Sequence, residues 1–282
     1  MPPTAIMRRT PAGAGSAPPL VPGCDDDARA ADAAHVAFLG MPFALWTQTE
    51  VIEAIIAHHG APYRYVVTPN AAHVVAVHNE PGRLLPIYRS AWLSLCDSRI
   101  VRALARLDRL ALPLVTGSDL VAALLATLNA QERPGAPRPI LVVGPPHGTE
   151  AALRARYPNL TFDVLPAPAD LARSAEARLA VARACLSRDW QLALLCLGSP
   201  AQEMIAATLA ELGHQSGVAL CVGASIDFLT GARARAPRWL QRLSLEWAYR
   251  LACEPRRLWR RYLVESPRIL RIFIVSRSRR AR

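Results

Sequence analysis

The sequence predicts an α/β protein: a Rossmann-like, mostly parallel sheet with helices on both faces, followed by a C-terminal helical, basic appendage. Short, continuously apolar segments such as ILVV and VALC alternate with longer segments of helical periodicity. Strands buried on both faces have this composition, and parallel strands need a helix between them. At 282 residues, 52% of them hydrophobic and 20% charged, the chain is long enough to bury the core of such a fold.

The first half of the predicted α/β body runs from residue 36 to 131. Its clearest helix, TQTEVIEAIIAHHG, begins with a capping box from Thr47 to Glu50 and ends at Gly60. A second helix, TGSDLVAALLATLNAQ, is expected to be capped by Ser118 or Gly117. The other segments are predicted, in order, as a strand and turn (HVAFLGMPFALW), a strand (YRYVVTPN), a short helix (AAHVVAVHNEPG) and a buried strand that runs into a loop at Asp97 (SAWLSLCDSRIV).

A hydrophilic connector, ERPGAPRP, separates the second half of the body, residues 139 to 232. This half is predicted as four strands within ILVV, TFDVLP, DWQLALLCLG and GVALCVGAS, with helices between them, one of which covers residues 170 to 188. After Asp227 the pattern changes to helices, and only RIFIVS near the end has the composition of a further strand. Residues 233 to 282 are therefore predicted as a separate helical, arginine-rich appendage.

The first 35 residues are rich in proline, glycine, alanine and aspartate, so we expect a disordered lead. They contain no continuous apolar segment of the kind that a secretory signal needs. The chain contains no run of 18 apolar residues, so no membrane-spanning helix is predicted. The six cysteines show no zinc-like spacing, and reduced thiols in a cytoplasmic protein are expected.

Charge is distributed unevenly along the chain. The net charge is +11 and all 33 basic residues are arginine, but the last 50 residues, from Arg233 onward, contain 15 arginines and three glutamates. A basic tail with aromatic residues suits two kinds of partner, nucleic acid and an anionic membrane. A nucleic-acid-binding protein is the less favoured alternative, because no nucleic-acid-binding module accompanies the tail and the α/β body would have no role.

Three loops concentrate polar residues where the ligands of such folds bind, at the carboxyl ends of parallel strands. Thr68 and Asn70 follow one strand, and they either cap the next helix or hydrogen-bond a ligand. Asp97 follows another strand, where a carboxylate acts as a general base, begins a turn or pairs with nearby arginines. Gln202 and Glu203 stand at the start of a predicted helix. Two roles are equally open: the side chains recognise a sugar hydroxyl or a uracil edge, or the acidic residue complements the helix dipole.

A fourth loop, VVGPPHGTEAAL, joins a strand to a helix and contains Gly144 and Gly148. Glycines at such a turn let a diphosphate approach the backbone near a helix N-terminus. The spacing differs from the dinucleotide-binding pattern, however, and two adjacent prolines argue against a standard dinucleotide grip. The sequence contains no Walker loop, no zinc-protease motif and no metal-grade histidine cluster.

Six segments, taken together in chain order, closely resemble the WecG/TagA/CpsF glycosyltransferases. They are TPNAAH, the strand ending at Asp97, VTGSDLV, ILVVG with ALRARYPNL, LGSPAQE, and VGASIDFLTGARARAPRWLQRLSLEWAYRLACEPRRLWRRYL. The resemblance covers about residues 36 to 275 and is most specific in the last block. It implies transfer of an N-acetylmannosamine-type sugar, or a related hexose, from a UDP-sugar donor to a polyprenyl-diphosphate-linked saccharide at the inner face of a bacterial membrane, for exopolysaccharides and other surface polysaccharides.

The resemblance also implies roles for individual residues. Asp97 matches the proposed general base, which deprotonates the acceptor hydroxyl as that hydroxyl attacks the anomeric carbon. The substrate-binding residues that it implies are the polar pair beside this base, the loop near the nucleotide and the Asp of a Phe-Asp-Phe-like segment: Thr68, Asn70, Gln202, Glu203 and Asp227. It implies no metal and no cofactor, and it suggests a homo-oligomer.

Four positions depart from the family pattern. Ser98 replaces a glycine, Leu114 replaces an arginine that is thought to hold the donor's phosphates, Ala201 replaces a lysine or arginine, and Ile226 replaces a phenylalanine. An active but diverged enzyme is the favoured interpretation. A weakened or inactive member, acting as a scaffold on the same fold, is the alternative.

The segment from Arg235 to Leu263 is helical by pattern and is broken at Pro255. Before the break, its apolar face is expected to pack on the body. After the break, arginines crowd beside aromatic side chains, a combination suited to a membrane interface. The predicted membrane-docking residues are Arg256, Arg257, Trp259, Arg260 and Arg261, and they predict peripheral attachment to the inner face of the cell membrane.

Overall fold

The computed structural model describes residues 35–58, 60–131, 139–145, 148–168, 170–233, 236–237, 240, 246–259, 263–264 and 267–280. The predicted disordered lead and nearly all of the hydrophilic connector lie outside these residues, and both stay predictions. Residues Ala33–Arg282 form one compact unit. Both predicted halves of the body contribute strands to one sheet, while the domain boundaries themselves stay predictions.

Eight strands lie in the described residues: β1 (His35–Phe38), β2 (Met41–Ala44), β3 (Arg64–Val67), β4 (Leu93–Ser94), β5 (Ile140–Val143), β6 (Phe162–Leu165), β7 (Leu192–Leu195) and β8 (Val218–Cys221). Six of them form a sheet with the order β4-β3-β8-β7-β5-β6. All neighbouring strands in that sheet are parallel, which confirms the predicted fold class. The other two strands, β1 and β2, form an antiparallel hairpin.

Twelve helices lie in the same part of the chain: α1 (Gln48–Ala57), α2 (Ala71–Asn79), α3 (Pro81–Ser90), α4 (Arg99–Leu107), α5 (Gly117–Ala130), α6 (Thr149–Arg156), α7 (Ala175–Leu186), α8 (Ala201–Glu211), α9 (Ser225–Leu229), α10 (Glu246–Cys253), α11 (Pro255–Trp259) and α12 (Arg268–Arg280). The predicted capping box is present at α1, where Thr47 and Glu50 exchange hydrogen bonds. The helix predicted over 170–188 is shorter, because Ser174 caps the N-terminus of α7.

The two faces of the sheet bury separate apolar cores, because successive residues of a strand point in opposite directions. Val67 and Cys221 belong to one core, which packs against α2, α3, α4, α7, α8 and α12. Val66 and Leu220 belong to the other core, which packs against α1, α5, α6 and α9. Helices therefore cover both faces of the sheet, as predicted.

The path of the chain leaves a crevice at the carboxyl edge of the sheet. β3 leads into α2 on one face, and its neighbour β8 leads into α9 on the opposite face. β7, on the other side of β8, leads into α8 on the same face as α2. A crevice opens where neighbouring strands send their connections to opposite faces, so a ligand site is expected at the ends of β3, β8 and β7.

The prediction of a strand at RIFIVS is wrong, because this segment lies inside α12. Ile269 and Phe273 are four residues apart and both are buried against the body. That spacing places them on one side of a helix, whereas alternate residues of a strand would be buried. The short apolar run within RIFIVS has the composition of a strand. The helical period becomes visible only when Ile269, one turn before Phe273, is included.

Three further details differ from the sequence prediction. α3, which follows α2, and α4, which follows the second polar loop, are helices that the sequence analysis does not predict. The N-cap of α5 is Thr116, whose side chain accepts a hydrogen bond from the backbone of Asp119, and neither Gly117 nor Ser118 caps it. The break predicted at Pro255 is present as Glu254, which separates α10 from α11.

No helix among the described residues is long and apolar enough to span a membrane.

Candidate active site

A cavity of about 320 Å³ occupies the crevice, a volume within the usual range for small-molecule sites. Loops that follow β3, β4, β7 and β8 contribute to its wall, and so do the start of α5 and the C-terminal segment around α10. Its described lining residues are Thr68, Asn70, His73, Asp97, Ser118, Cys196, Leu197, Gly198, Ser199, Gln202, Val222, Gly223, Ala224, Ser225, Asp227, Phe228, Arg233, Tyr249, Cys253 and Glu254. Five of the six predicted catalytic and substrate-binding residues are among them.

The loop after β3 is held rigidly at the cavity wall. The hydroxyl of Thr68 is buried and donates to the carbonyl oxygen of Cys221 at 2.8 Å, so it ties the ends of β3 and β8 together. Asn70 caps α2, and its Oδ1 accepts from the backbone N–H of Ala72 at 3.0 Å. Asn70 therefore caps the helix, which is one of the two roles that the sequence analysis considered. Thr68 and Asn70 also line the cavity.

His73 completes the cap of α2 and is fixed in one tautomer. The backbone N–H of Asn70 donates to its Nδ1 at 3.0 Å, so Nδ1 is an acceptor and the ring proton is on Nε2. Nε2 faces the buried carboxylate of Glu203, with 3.9 Å between Nε2 and Oε1. The ring of His73 is therefore held between the N-terminus of α2 and Glu203, and it lines the cavity.

Asp97 lies at the cavity wall directly after β4. Its backbone N–H donates to the carbonyl oxygen of Pro69 at 3.0 Å, which aligns the second polar loop with the first. The backbone N–H of Val115 donates to the carbonyl oxygen of Cys96 at 3.0 Å and holds the approach to α5 on the other side. Asp97 is half-buried and lines the cavity.

The N-terminus of α5 packs closely against the site at Gly117. A Cβ at this position would lie 3.3 Å from the hydroxyl oxygen of Ser225 and 3.4 Å from that of Thr68. A side chain here would push α5 away from α9 and from the loop after β3. The glycine of VTGSDLV therefore allows three segments of the cavity wall to meet.

The loop after β7 is joined to the loop after β8 through Gln202. Its Oε1 accepts from the backbone N–H of Gly223 at 3.0 Å, and its Nε2 donates to Oε1 of Glu203 at 2.9 Å. Gln202 lines the cavity, whereas Glu203 lies beneath it, fully buried. The structure therefore separates this predicted pair: the amide of Gln202 lines the cavity, and the carboxylate of Glu203 accepts a hydrogen bond from Gln202 and stands beside His73.

Asp227 is paired with an arginine that the sequence analysis did not single out. Nε of Arg233 lies 3.1 Å from Oδ2 of Asp227, and its Nη1 lies 3.5 Å from Oε1 of Glu254. The guanidinium thus links α9 to the junction of α10 and α11, and it lines the cavity. Among the described lining residues, Arg233 is the one arginine.

The C-terminal segment forms part of the cavity wall through Tyr249, Cys253 and Glu254. A hydrogen bond with Cys253 raises the pKa of the Tyr249 hydroxyl. The sequence analysis assigned this segment to body packing and membrane docking, and His73 and Ser118 were not considered as site residues. Their position beside TPN and within VTGSDLV was the available signal.

Two thiols near the cavity are protonated at neutral pH. Burial raises the pKa of Cys96 to about 12, and burial also raises the pKa of Cys196 well above its usual value. A nucleophilic cysteine needs a lowered pKa, so neither thiol is a candidate nucleophile. Among the described residues, no group of three or more His, Cys, Asp and Glu side chains is arranged to hold a metal ion.

The described residues of the fourth loop do not line the cavity. Gly144 has φ +85°, and a Cβ there would collide with the side chain of Leu197. This glycine therefore allows β5 to pack beside the loop after β7, which is a structural role.

The four departures from the family pattern have local explanations. Ser98 caps α4, since its side chain accepts from the backbone N–H of Val101 at 3.2 Å. Leu114 packs against the apolar core, and Ala201 and Ile226 are buried. No cation therefore occupies position 114.

Two of the predicted docking residues have described side chains. Arg256 is exposed, and Trp259 is 52% exposed at the end of α11. The side chain of Arg257, and all of Arg260 and Arg261, lie outside the described residues. Leu263 and Val264, farther along the same segment, are also exposed.

A parallel sheet with a polar cavity at its topological switch point defines a Rossmann-like α/β ligand-binding protein. The sequence model of the glycosyl transferase WecG/TagA/CpsF family matches residues 36–282. The chain belongs to that family, and it is a glycosyltransferase of the WecG/TagA/CpsF type. The resemblance predicted from the ordered loops is thereby confirmed.

Proposed function

We propose that this protein transfers an N-acetylmannosamine-type or related hexose from a UDP-sugar to a polyprenyl-diphosphate-linked saccharide in bacterial surface polysaccharide synthesis. The observation that carries the proposal is that one cavity gathers Thr68, Asn70, Asp97, Gln202 and Asp227 from four loops. Polar groups that converge in a cleft at strand ends are typical of sites that bind polar ligands. The family assignment supports glycosyl transfer as the reaction.

In the proposed reaction, Asp97 accepts the proton of the acceptor hydroxyl. The acceptor oxygen forms a bond with the anomeric carbon, the bond from that carbon to the phosphate oxygen breaks, and its electron pair leaves with UDP. The proposal includes no metal, so Arg233 is assigned to balance the charge of the diphosphate. The side chain of Arg233 is 39% exposed and lines the cavity, and guanidinium groups are common phosphate ligands.

The test is UDP release by the purified protein with a panel of UDP-hexoses and a lipid-diphosphate saccharide acceptor. Turnover with one donor, undiminished by EDTA, is the expected result. Absence of turnover with every donor would favour the inactive or scaffold alternative, and complete loss of turnover in EDTA would reject the metal-free mechanism.

Arg233→Gln is expected to raise the KM for the UDP-sugar by roughly 10- to 100-fold, since a hydrogen bond to a charged group contributes about 1.5–3 kcal/mol. The turnover number should fall less, because the diphosphate is bound in the ground state as well. Arg154→Gln is the matched control, because Arg154 is also ion-paired, with Glu150 at 2.7 Å, but lies on α6. Equal KM values in the two variants would contradict the role of Arg233.

We also propose that the segment around α11 attaches the enzyme peripherally to the inner face of the cell membrane. Truncation before Arg256 would be a poor test, because α12 buries Ile269 and Phe273 in the core. Trp259→Ser avoids this problem and should weaken binding to anionic vesicles about 10-fold, through the loss of one large apolar group. Leu212→Ser, at an exposed apolar residue after α8, should leave vesicle binding unchanged. Equal vesicle affinity of Trp259→Ser and wild type would argue against attachment through α11.

A further inference from the structure

α4 begins two residues after Asp97 and carries a row of arginines on its outer side. Arg99, Arg102 and Arg106 are spaced three and four residues apart, so they lie along one side of the helix. The opposite side anchors the helix, because Val101 and Leu104 are buried in the core. The arginine row is therefore held in a fixed place beside the cavity wall.

The three arginines of α4 carry like charges close together. Among the described residues, none of them forms an ion pair with a carboxylate. Burial, and to a lesser extent the charges of Arg106 and Arg99, lowers the pKa of Arg102, and like charges three or four residues apart on a helix are unfavourable. Such a row costs stability in the isolated protein and becomes favourable when an anionic partner covers it.

An apolar strip lies next to the arginine row on the same exposed surface. Ile100 is 39% exposed and Leu107 is 61% exposed, with the exposed Ala103 between them. Two turns of helix thus present aliphatic groups beside guanidinium groups. A helix with this arrangement suits the boundary between lipid headgroups and acyl chains.

α12 lies beside the C-terminal end of α4. Nε of Arg277 lies 3.3 Å from Oδ1 of Asp108, the C-cap of α4. The end of α4 is therefore tied to a helix whose Ile269 and Phe273 are buried in the core.

We propose that α4 is a membrane-docking surface, on which Arg99, Arg102 and Arg106 contact anionic lipid headgroups while Ile100 and Leu107 enter the interface. A nucleic acid would contact the arginines but would leave the aliphatic residues exposed. A membrane would cover both, so the exposed aliphatic residues favour a membrane. Docking through α4 holds the lip of the cavity at Asp97 against the bilayer. The benefit of this orientation rests on the proposed function: a lipid-linked acceptor would reach Asp97 without leaving the membrane.

The test compares flotation of the full-length protein with vesicles of phosphatidylcholine alone and of phosphatidylcholine mixed with phosphatidylglycerol. The double variant Arg102→Gln/Arg106→Gln should bind the anionic vesicles about 25-fold more weakly, at roughly a factor of five for each arginine. Leu107→Ser, which keeps every charge, should bind about fivefold more weakly. The matched controls are Arg173→Gln/Arg183→Gln, which removes two exposed arginines elsewhere, and Leu212→Ser; both should bind as wild type does.

Three results would overturn the proposal: wild-type affinity in both α4 variants, an equal loss in the control variants, or binding of a single-stranded oligonucleotide without binding of vesicles. Should the double variant lose its cooperative thermal transition, Leu107→Ser decides alone. Binding is measured without donor and acceptor, so a failure of the proposed sugar transfer would not alter these outcomes.

Discussion

Asp97→Asn is expected to lower the turnover number for sugar transfer by about 10²- to 10⁴-fold, the contribution typical of a positioned general base. The amide is nearly isosteric with the carboxylate but cannot take the proton of the attacking hydroxyl. The loop should keep its shape, because Asp97 is fixed through its backbone N–H, which donates to Pro69. UDP release under saturating donor and acceptor measures the effect.

Asp163→Asn is the control for this substitution. Asp163 pairs with Arg188 at 3.0 Å on β6, at the edge of the sheet and outside the lining of the cavity, so its turnover number should match that of the wild type. Both variants should melt at similar temperatures. Wild-type turnover in Asp97→Asn would remove Asp97 from the catalytic assignment while leaving the family assignment intact.

Phe273→Ala is expected to lower the free energy of unfolding by about 3–5 kcal/mol, the usual cost of removing a buried phenylalanine ring. The ring packs against Phe38, with 6.3 Å between ring centroids, and the guanidinium of Arg277 lies over it at 5.6 Å. It is the largest apolar contact of α12 with the body among the described residues. Urea denaturation measures the change.

Ile274→Ala is the matched control, because Ile274 is the next residue of the same helix and is 63% exposed. Its free energy of unfolding should stay within about 0.5 kcal/mol of the wild type. Equal losses in the two variants would mean that α12 does not pack on the body through Phe273.

The sheet was predictable from sequence because its strands are buried on both faces and therefore apolar throughout. β5, with Ile140–Val143 completely apolar, is an example. α4 was missed although its arginines and apolar residues follow the helical period, because the sequence analysis assigned its first residues to the loop after β4. The sequence analysis placed Pro81 at the end of the preceding helix, whereas Pro81 occupies the first turn of α3, where proline is tolerated.

The candidate site was predictable only where its residues lie in loops of a recognisable family pattern. Asp97 and Gln202 were found in this way. Arg233 could not be distinguished from the other arginines of the C-terminal segment, because its importance comes from ion pairs with Asp227 and Glu254 that only the tertiary structure creates. The division of labour between Gln202 and Glu203 likewise depends on burial.

The position of β8 has a consequence for how the chain folds. β8 is the last strand in sequence, yet it hydrogen-bonds with both β3 and β7 in the middle of the sheet. Until residue 221 has left the ribosome, β3 and β7 lack the strand that lies between them in the folded sheet. Pairing across more than a hundred residues is slow, and open strand edges invite association with other chains. We therefore expect the nascent chain to be most exposed to aggregation just before β8 enters the sheet and completes the crevice.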